Sequence, residues 1–289
     1  EATAPFNSAS ETLRDNLIAL GSSLDDAMRR HIRSYRQHSL SSAEASSDGV
    51  LARLAALKLE SGKQFSEDEL VAHGNVLFVS SNEPIAVALT WTLLILSQLP
   101  ELRRALLREL DEASQAGDVS PSRQLARLTL LDSVINESLR LLPPNALMVR
   151  VTTRPATLNG LSLPERCELV LCPFLAHRDA GRFPRPQEFL PSRWSGTRPS
   201  PYEYFPFGAG GHSCVGAHLA TYIIKAALSL LMPRYELLLA EDQEIDWRIH
   251  IMFMPRNEPM MKVRVPGLSS LRAGKLIGPI GELISLNDL

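Results

Sequence analysis

The sequence predicts a mainly α-helical fold with small β-sheets, an α+β arrangement. Apolar residues recur at helical spacing through most of the first 142 residues, whereas β-type composition appears only in short segments after Pro143 and Pro144. With 289 residues the chain can bury a sizeable core, and its 45% hydrophobic and 21% charged content is ordinary for a globular protein. The formal net charge of -2 gives no reason to expect nucleic acid as a partner.

The N-terminal half is predicted to consist of helices. Ser66 and Glu69 have the spacing of a capping box and begin the longest of them. Pro100 lies where a first-turn proline belongs, and Pro143 and Pro144 end the last helix because proline cannot continue one. The predicted helices cover residues 11–37, 50–59, 66–99, 101–113 and 128–142.

Loops and short strands complete the predicted elements. Polar, Ser-rich composition predicts loops over residues 38–49 and 114–122, and Asn159-Gly160 is typical of a hairpin turn. Residues 182–206 are rich in proline and aromatic side chains and are predicted to be ordered but irregular. The predicted strands cover residues 147–153, 157–158, 168–172, 235–239 and 262–265, of which the last two form one small sheet.

The sequence predicts a cytoplasmic protein without a membrane span. The longest apolar run, residues 85–99, is too short and is interrupted by Thr90, Thr92 and Ser97. No signal peptide is recognisable, and the three cysteines have neither zinc spacing nor a disulfide framework. Because the chain begins with Glu1 rather than methionine, we expect either a removed N-terminus or a fragment.

The most informative motif is FGAGGHSCVG at residues 207–216. Cys214 precedes an apolar run over residues 217–232, and the positive end of that helix favours a thiolate over a thiol. The glycines permit close approach of a flat ligand and backbone N–H groups directed at the sulfur, which Phe207 would cover. The pattern favours a metal-bound thiolate. The alternative is a buried structural cysteine after a turn, which leaves the glycine spacing unexplained.

This motif resembles the haem-binding loop of the cytochrome P-450 superfamily, and further landmarks follow in order from about Glu11 to Val265. The resemblance implies a P-450 fold that binds haem b, with Cys214 as the axial thiolate ligand of the iron, and activation of oxygen. It implies one haem-binding domain of the soluble, bacterial-like type over residues 1–266. Residues 267–289 are then an extension without an assigned role. By the same resemblance, we expect the chain to be the C-terminal two-thirds of a family member that lacks its N-terminal region.

The resemblance also assigns residues to the cofactor. His212 and Arg150 match family positions that hold the haem propionates, and both side chains suit carboxylates. Phe207, Gly208 and Gly216 belong to the haem-binding loop itself. The alternative interpretation of the two propionate candidates is an ordinary loop histidine and a strand-edge arginine.

Glu137 and Arg140 are three residues apart, so on a helix they share a face. About one E-x-x-R pair is expected by chance in a chain of this length, and a solvated surface pair is the default interpretation. The resemblance implies instead a buried network with Arg193, in the segment Pro-Ser-Arg-Trp, that supports the haem loop. His177 is likewise expected to be structural.

The long helix departs from the family pattern at the position where it crosses the oxygen site. Ser81 stands in for a glycine, Glu83 matches the acid, and Pro84 replaces the threonine that helps deliver protons to bound oxygen. We therefore assign these three residues to the catalytic region, with Glu83 in the proton path. A proline inside a helix is also expected to kink it. The alternative is that Pro84 only kinks the helix and Glu83 is a polar residue on a cavity wall.

The leading function implied by the resemblance is a haem-thiolate monooxygenase that inserts one oxygen atom from O2 into a small hydrophobic substrate. Its electrons would come from a ferredoxin or flavodoxin with an NAD(P)H reductase. The alternatives are a peroxide-driven peroxygenase and a fragment or accessory protein that is not self-sufficient. The predicted pocket residues are Val79, Ser80, Asn82, Leu147, Met148, Met252 and Phe253, and the predicted basic docking residues are Arg178, Arg182, Arg185 and Lys225.

Overall fold

The computed structural model describes residues 8–39, 49–115, 120–196, 199–241, 243–265 and 273–286. Its helices and its two-stranded sheets confirm the predicted α+β class. The chain divides into two compact units, residues 1–82 and residues 83–289.

The elements are numbered along the described residues. The α-helices are α1 (Ser8–Ser39), α2 (Val50–Ala56), α3 (Glu67–Gln98), α4 (Pro100–Gln115), α5 (Pro121–Ala126), α6 (Thr129–Leu141), α7 (Pro173–Ala176) and α8 (Ala217–Leu231). The strands are β1 (Met148–Val151), β2 (Ala156–Leu158), β3 (Leu161–Leu163), β4 (Glu168–Leu171), β5 (Glu236–Leu239), β6 (Trp247–Ile249), β7 (Phe253–Pro255) and β8 (Met261–Arg264). Short 3₁₀ helices cover Pro191–Trp194, Gly210–His212 and Pro279–Glu282.

The first unit has its own small core, in which Ile32 of α1 and Leu70 of α3 are fully buried. The predicted capping box forms at the start of α3. The Ser66 N–H donates to Glu69 Oε2 at 2.7 Å, and the Glu69 N–H donates to Ser66 Oγ at 3.2 Å. This reciprocal pair satisfies two of the N–H groups that a helix start leaves without partners, which is why α3 begins there.

Two loops are shorter than the sequence predicts, because helices extend into them. Residues 38–39 belong to α1, and residues 40–48 lie outside the described part of the chain. α4 continues to Gln115, and α5 begins at Pro121, inside the predicted linker 114–122. The reason for the second difference is that proline at the first helical position has its φ already set for a helix. Polar composition alone does not show this.

The sheets are four antiparallel pairs: β1 with β4, β2 with β3, β5 with β8, and β6 with β7. The turn between β2 and β3 is the predicted one, with φ of 49° at Asn159 and 82° at Gly160. Positive φ at both central residues is the conformation for which Asn-Gly is preferred in hairpins. The predicted final sheet is confirmed as β5 with β8, while the β6–β7 hairpin was not predicted.

The core of the second unit is built around α3, α6 and the β6–β7 hairpin. Trp91 and Phe253 are almost completely buried, with their ring centroids 5.7 Å apart. The Trp91 Nε1–H donates to the Phe253 carbonyl at 2.9 Å, so the one polar atom of the indole ring is satisfied. Residues 273–286, which follow β8, join the same core through Ile280 and Ile284.

α3 is long and apolar enough to cross a membrane by length and composition, and it is the one helix of the described residues that is. By length and composition, α3 therefore contradicts the expectation that no apolar stretch of the chain is long enough to span a membrane. Thr and Ser side chains interrupt an apolar run, but the average hydropathy of the helix remains high enough despite them. This is weak evidence for a membrane span, because core helices of soluble proteins pass the same test.

Candidate functional site

A buried ion pair lies on α6. Glu137 and Arg140 are both fully buried, and Arg140 donates from Nε and Nη2 to the two carboxylate oxygens of Glu137, each at 2.9 Å. The default expectation of a solvated surface pair is therefore wrong, and the buried pair expected from the family resemblance is confirmed. A buried pair of charges is favourable only when its remaining hydrogen-bonding groups are also satisfied.

The Glu137 carboxylate meets that condition. It accepts further hydrogen bonds from the Leu190 N–H at 2.9 Å, from Arg193 Nε at 3.3 Å and from Trp194 Nε1 at 2.9 Å. The last two side chains come from the 3₁₀ helix Pro191–Trp194. The predicted role of Arg193 is confirmed. Trp194 was not predicted to contribute, although it belongs to the same segment, Pro-Ser-Arg-Trp, as Arg193.

The Arg140 guanidinium is satisfied as well. Besides Glu137 it donates to the carbonyls of His177 at 2.9 Å, Pro186 at 2.8 Å and Glu188 at 3.1 Å. All five N–H donors of an arginine therefore have an acceptor here. The pair holds together three parts of an irregular coil that has little secondary structure of its own.

His177 links this network to the segment before the cysteine. Its ring is fully buried, and Nε2 accepts the Phe205 N–H at 3.0 Å, so that nitrogen carries no proton. Burial, and then the charge of Arg140, lower the pKa of His177 to about 3. The histidine is therefore a neutral hydrogen-bond acceptor that fixes Phe205, which agrees with the structural role expected for it.

We expect His177 to make stability depend on pH between about 6.5 and about 3. The pKa of His177 is about 3 in the folded chain and about 6.5 when it is unfolded, so only the unfolded chain gains a proton in this range. Its contribution to stability is complete above pH 6.5 and is lost as the pH falls. The loss is at most about 1.4 kcal/mol per pH unit.

Urea unfolding of the parent and of His177→Gln between pH 7.5 and pH 5 measures this contribution. Glutamine offers an acceptor but does not titrate, so the difference between the two pH dependences isolates His177. Parallel pH dependences in the two proteins would contradict the assignment.

The cysteine loop is a closed turn. The Cys214 N–H donates to the Phe207 carbonyl at 2.8 Å, and the Gly208 N–H donates to the Phe205 carbonyl at 3.0 Å. Gly208 has φ of 75°, and a Cβ there would lie 3.3 Å from the His212 carbonyl oxygen. The positive φ is the reason that glycine is favoured here, and an added Cβ would also be tightly packed against the loop backbone. The Cys214 side chain is exposed, two residues before the N-cap Gly216 of α8.

The hydrogen-bond donors around the sulfur differ from those expected from the sequence. Among the described residues, no backbone N–H donates to Cys214 Sγ, and the amide of Cys214 itself donates to the Phe207 carbonyl. Phe207 is half-buried and packs against the core. Gly216 does lie beside the sulfur, where an added Cβ would be 3.8 Å from Sγ.

β1 lies against the cysteine loop. The sulfur of Met148 is 3.7 Å from the position that a Cβ would take at Gly208. Arg150, on the same strand, is half-buried and donates to the Val149 carbonyl at 2.9 Å. Within the described part of the chain Arg150 forms no ion pair. His212 is exposed on the loop.

This set of residues fits haem. An exposed thiol offers the soft ligand that iron takes in haem-thiolate proteins, and Arg150 and His212 offer donors for two carboxylates. Two exposed apolar side chains, Val215 and Leu219, follow Cys214 closely in the chain, and an apolar surface suits a flat hydrocarbon ring.

The three residues assigned to the catalytic region lie in the middle of α3. Pro84 is accommodated inside the helix, and Ser81 and Glu83 are exposed. The Ser81 hydroxyl donates to the Phe78 carbonyl at 3.1 Å, so its proton is used by the helix itself. Among the described residues, no hydrogen bond or ion pair engages the Glu83 carboxylate, which leaves that group free to bind water.

A family model described as Cytochrome P450 matches residues 8–263 of the chain. The match covers the support network, the long helix and the cysteine loop. The chain belongs to the cytochrome P450 family. Cytochromes P450 bind haem b through an axial cysteine thiolate and are monooxygenase oxidoreductases. The family and fold expected from the sequence are thereby confirmed.

Curated cytochromes P450 that resemble this chain come from bacteria and animals. The cyclooctatin synthase of Streptomyces melanosporofaciens is 32% identical over 90% of this chain and 54% of its own length. The mitochondrial sterol 26-hydroxylase of Mus musculus is 30% identical over 78% of this chain and 43% of its own length. The chain thus spans about half the length of these relatives. A mitochondrial protein is among them, so the cytoplasmic location stays a prediction.

Solved cytochrome P450 structures have the same fold. A retinoic acid-bound cyanobacterial CYP120A1 superimposes with a TM-score of 0.76 at 22% identity, over 84% of this chain and 56% of that one. The haem domain of cytochrome P450DA gives a TM-score of 0.73 at 21% identity, over 84% of this chain and 54% of that one.

The predicted P450 substrate pocket needs one correction. Phe253 is fully buried and packs against Trp91, Phe174 and Trp247, so it belongs to the core. The error arose because an apolar residue in a short strand looks the same in sequence whether it faces a pocket or a core. Met252 also packs against that core, whereas Leu147 is exposed.

The predicted docking face for a redox partner also needs correction. Arg178 is half-buried, lies 3.9 Å from the centre of the Phe174 ring and has its pKa lowered to about 10 by burial. Lys225 is buried and pairs with Asp132 at 2.8 Å. Neither is available to a partner. Arg182 and Arg185 are exposed, but they pair with Glu203 and Glu188.

Two cavities lie elsewhere in the second unit. A cavity of about 1010 Å³ borders the cysteine loop at Phe207 and is lined by Asn136, Trp194, Tyr204 and His218 among others. An apolar cavity of about 460 Å³ lies between α4, α5 and α8. Neither was foreseen, because both are made by elements distant in sequence.

Proposed function

We propose that this chain supplies the haem-binding part of a cytochrome P450 monooxygenase, with Cys214 as the axial ligand of the iron. The observation that carries the proposal is an exposed cysteine on a closed glycine loop whose backbone is fixed by a buried ion-pair network. Such rigidity suits a ligand that must hold a metal in one position.

The remaining cofactor residues have separate tasks in this proposal. Arg150 and His212 would bind the two propionates, while Gly216 would leave space for the ring beside the sulfur and Gly208 would keep the loop in its closed turn. Phe207 closes the loop through its carbonyl, and its ring would shield the sulfur side from water. When bound, haem supplies the activation of O2 that none of these side chains can perform.

Proton delivery is assigned to α3. Glu83, which has no hydrogen-bond or ion-pair partner among the described residues, would hold and pass a proton through bound water, which Ser81 can anchor as an acceptor. Pro84 lacks both a hydroxyl and an N–H, so it contributes to neither step. The proposed substrate is a small hydrophobic molecule. The proposed electron source is a ferredoxin or flavodoxin with an NAD(P)H reductase, in the cytoplasm.

The carbon monoxide difference spectrum of the reduced protein, together with haem quantitation, tests the proposal. We expect about one haem per chain and a strongly red-shifted band, because thiolate ligation alone produces that shift. Absence of haem, or a band typical of histidine-ligated haem, would reject the chain as a self-sufficient haem domain and favour the fragment alternative. Product formation with NAD(P)H and a redox partner then tests the activity.

A second candidate, a peroxide-driven peroxygenase, is favoured by Pro84 alone. Hydrogen peroxide brings both the electrons and the protons that a site without the threonine hydroxyl delivers poorly. Product formation with peroxide alone, at rates that match the electron-transfer system, would establish it. Lack of turnover with peroxide would exclude it.

Pro84→Thr is expected to raise the product formed per NAD(P)H about tenfold or more. Positioned proton transfer commonly contributes about a hundredfold or more, and the new hydroxyl would lie next to Glu83. Pro84→Ala is the matched control, because it restores the backbone N–H without adding a hydroxyl. If alanine produces the same gain as threonine, the cause is the helix backbone and not proton delivery.

A further inference from the structure

The chain continues past the region that the family model matches and folds back onto the core. We call residues 273–286 the C-terminal strap. The family match ends at residue 263, yet Ile280 is fully buried and Ile284 is 5% exposed in the core of the second unit. Burial of two large apolar side chains makes the strap an integral part of that unit.

The strap is also held by its backbone at three places. Near its start, Gln98 of α3 donates to the Gly274 carbonyl and accepts from the Leu276 N–H, both at 2.9 Å. In its middle, the Ile245 N–H donates to the Ile277 carbonyl at 2.9 Å. Because backbone groups at several points along the strap have hydrogen-bond partners, the whole path of the strap is fixed and not only the positions of its buried side chains.

The third place is the coil that carries the support network. The Ser285 N–H donates to the Gln187 carbonyl at 2.8 Å, and the Phe189 N–H donates to the Ser285 carbonyl at 3.0 Å. Glu188, between them, gives its own carbonyl to Arg140. The same short stretch of coil is therefore held on one side by the buried ion pair and on the other by the strap.

Hydrogen bonds continue from this stretch to the cysteine. Arg140 donates to the His177 carbonyl, and the His177 ring accepts the Phe205 N–H. The Phe205 carbonyl accepts the Gly208 N–H, and Cys214 closes the loop. A second link runs from the Leu283 carbonyl to Arg178, the residue after His177.

We propose that the C-terminal strap is a latch that positions the cysteine loop by clamping residues 187–189 against Arg140 and Glu137. Among the described residues, no hydrogen bond joins the strap to the sulfur or to the cysteine loop, so the residues of the strap are positioning residues. The latch rests on contacts within the protein. Only its consequence for haem rests on the proposed role of Cys214.

Hydrogen–deuterium exchange of the full-length chain, followed on peptides covering residues 204–216, tests the latch without requiring haem. Ile280→Ala removes a fully buried side chain, whereas Ile277→Ala makes the same change at a side chain that is 44% exposed. We expect exchange of the cysteine loop to rise about tenfold in Ile280→Ala and to stay within about twofold of the parent in Ile277→Ala. In Ile280→Val, exchange of the cysteine loop should stay within about twofold of the parent, because valine fills most of the space that the isoleucine side chain occupies.

Ser285→Pro provides an independent variant if Ile280→Ala does not fold. It removes the N–H that bonds to Gln187 without emptying the core, and it should accelerate the same peptides. α4 serves as an internal reference, since a positioning role leaves its exchange within about twofold of the parent. Equal acceleration in α4 and in the loop, or an unchanged loop in the variants that fold, would overturn the proposal.

A spectrum of the haem-loaded variants separates the latch from the proposed function. Ile280→Ala and Ser285→Pro should lower the fraction of the carbon monoxide band that has the thiolate position, while Ile277→Ala should not. If the parent protein lacks the thiolate band but hydrogen exchange of the cysteine loop still rises in the strap variants, Cys214 is not the ligand. The latch proposal is then supported without the proposed function.

Discussion

Replacing Cys214 by serine is expected to abolish the thiolate-type carbon monoxide band and to lower the haem retained after gel filtration at least about tenfold. The physical reason is that a neutral hydroxyl replaces an anionic sulfur, and iron in this family takes its axial electron density from the sulfur. Because the side chain is exposed, the substitution leaves no cavity. The free energy of unfolding of the haem-free chain, measured by thermal denaturation, should therefore change by less than about 0.5 kcal/mol.

The matched control is Cys167→Ser. Cys167 is half-buried just before β4, and its thiol lies 3.8 Å from the Glu168 carbonyl. This variant should keep both the haem and the red-shifted band. A Cys214→Ser protein that keeps the band, or a Cys167→Ser protein that loses it, would refute the assignment of the ligand.

Glu137→Gln is expected to lower the free energy of unfolding by about 3–5 kcal/mol, the cost of leaving one charge of a buried pair uncompensated. The amide cannot accept from all the donors that now surround the carboxylate. Its NH₂ group would face at least one of the N–H groups of Arg140, Leu190 and Trp194. Since a whole domain is stable by only about 5–15 kcal/mol, the variant should unfold at markedly lower urea concentration.

The chain contains its own control for this measurement. Glu101 and Arg104 have the same spacing on α4 and also form an ion pair, but their side chains are 60% and 59% exposed, against 0% for both partners on α6. Glu101→Gln should change the free energy of unfolding by less than about 0.5 kcal/mol. Similar effects of the two substitutions would show that burial does not govern the role of the pair on α6.

The two variants distinguish the ligand from its support. Glu137→Gln acts on the coil that fixes Phe205 and the loop, so it should reduce stability and haem retention together. Cys214→Ser should reduce haem retention alone. The strap variants should have effects on stability and haem retention that are intermediate between those of these two variants. The reason is that they loosen the coil from the side that contacts the strap and not from the side that contacts the ion pair.

The sequence by itself determined the features that depend on neighbouring residues. The capping box at Ser66, the Asn159-Gly160 turn and the helix ends at proline follow from local hydrogen bonds and backbone sterics, which a few residues specify. The cysteine loop was recognised for the same reason, since its glycines and its cysteine lie within ten residues. The predicted pairing of the last two strands followed from composition at the end of the family pattern.

Only the tertiary structure decided which side chains are buried and what they meet. The spacing of Glu137 and Arg140 is shared with an exposed pair on α4, and their burial comes from coil more than 40 residues away. Phe253 and Arg178 were assigned to a pocket and to a docking face, but packing buries Phe253 completely and places half-buried Arg178 against the Phe174 ring. The strap had no predicted role, because its buried isoleucines become informative only when distant parts of the chain form the core that receives them.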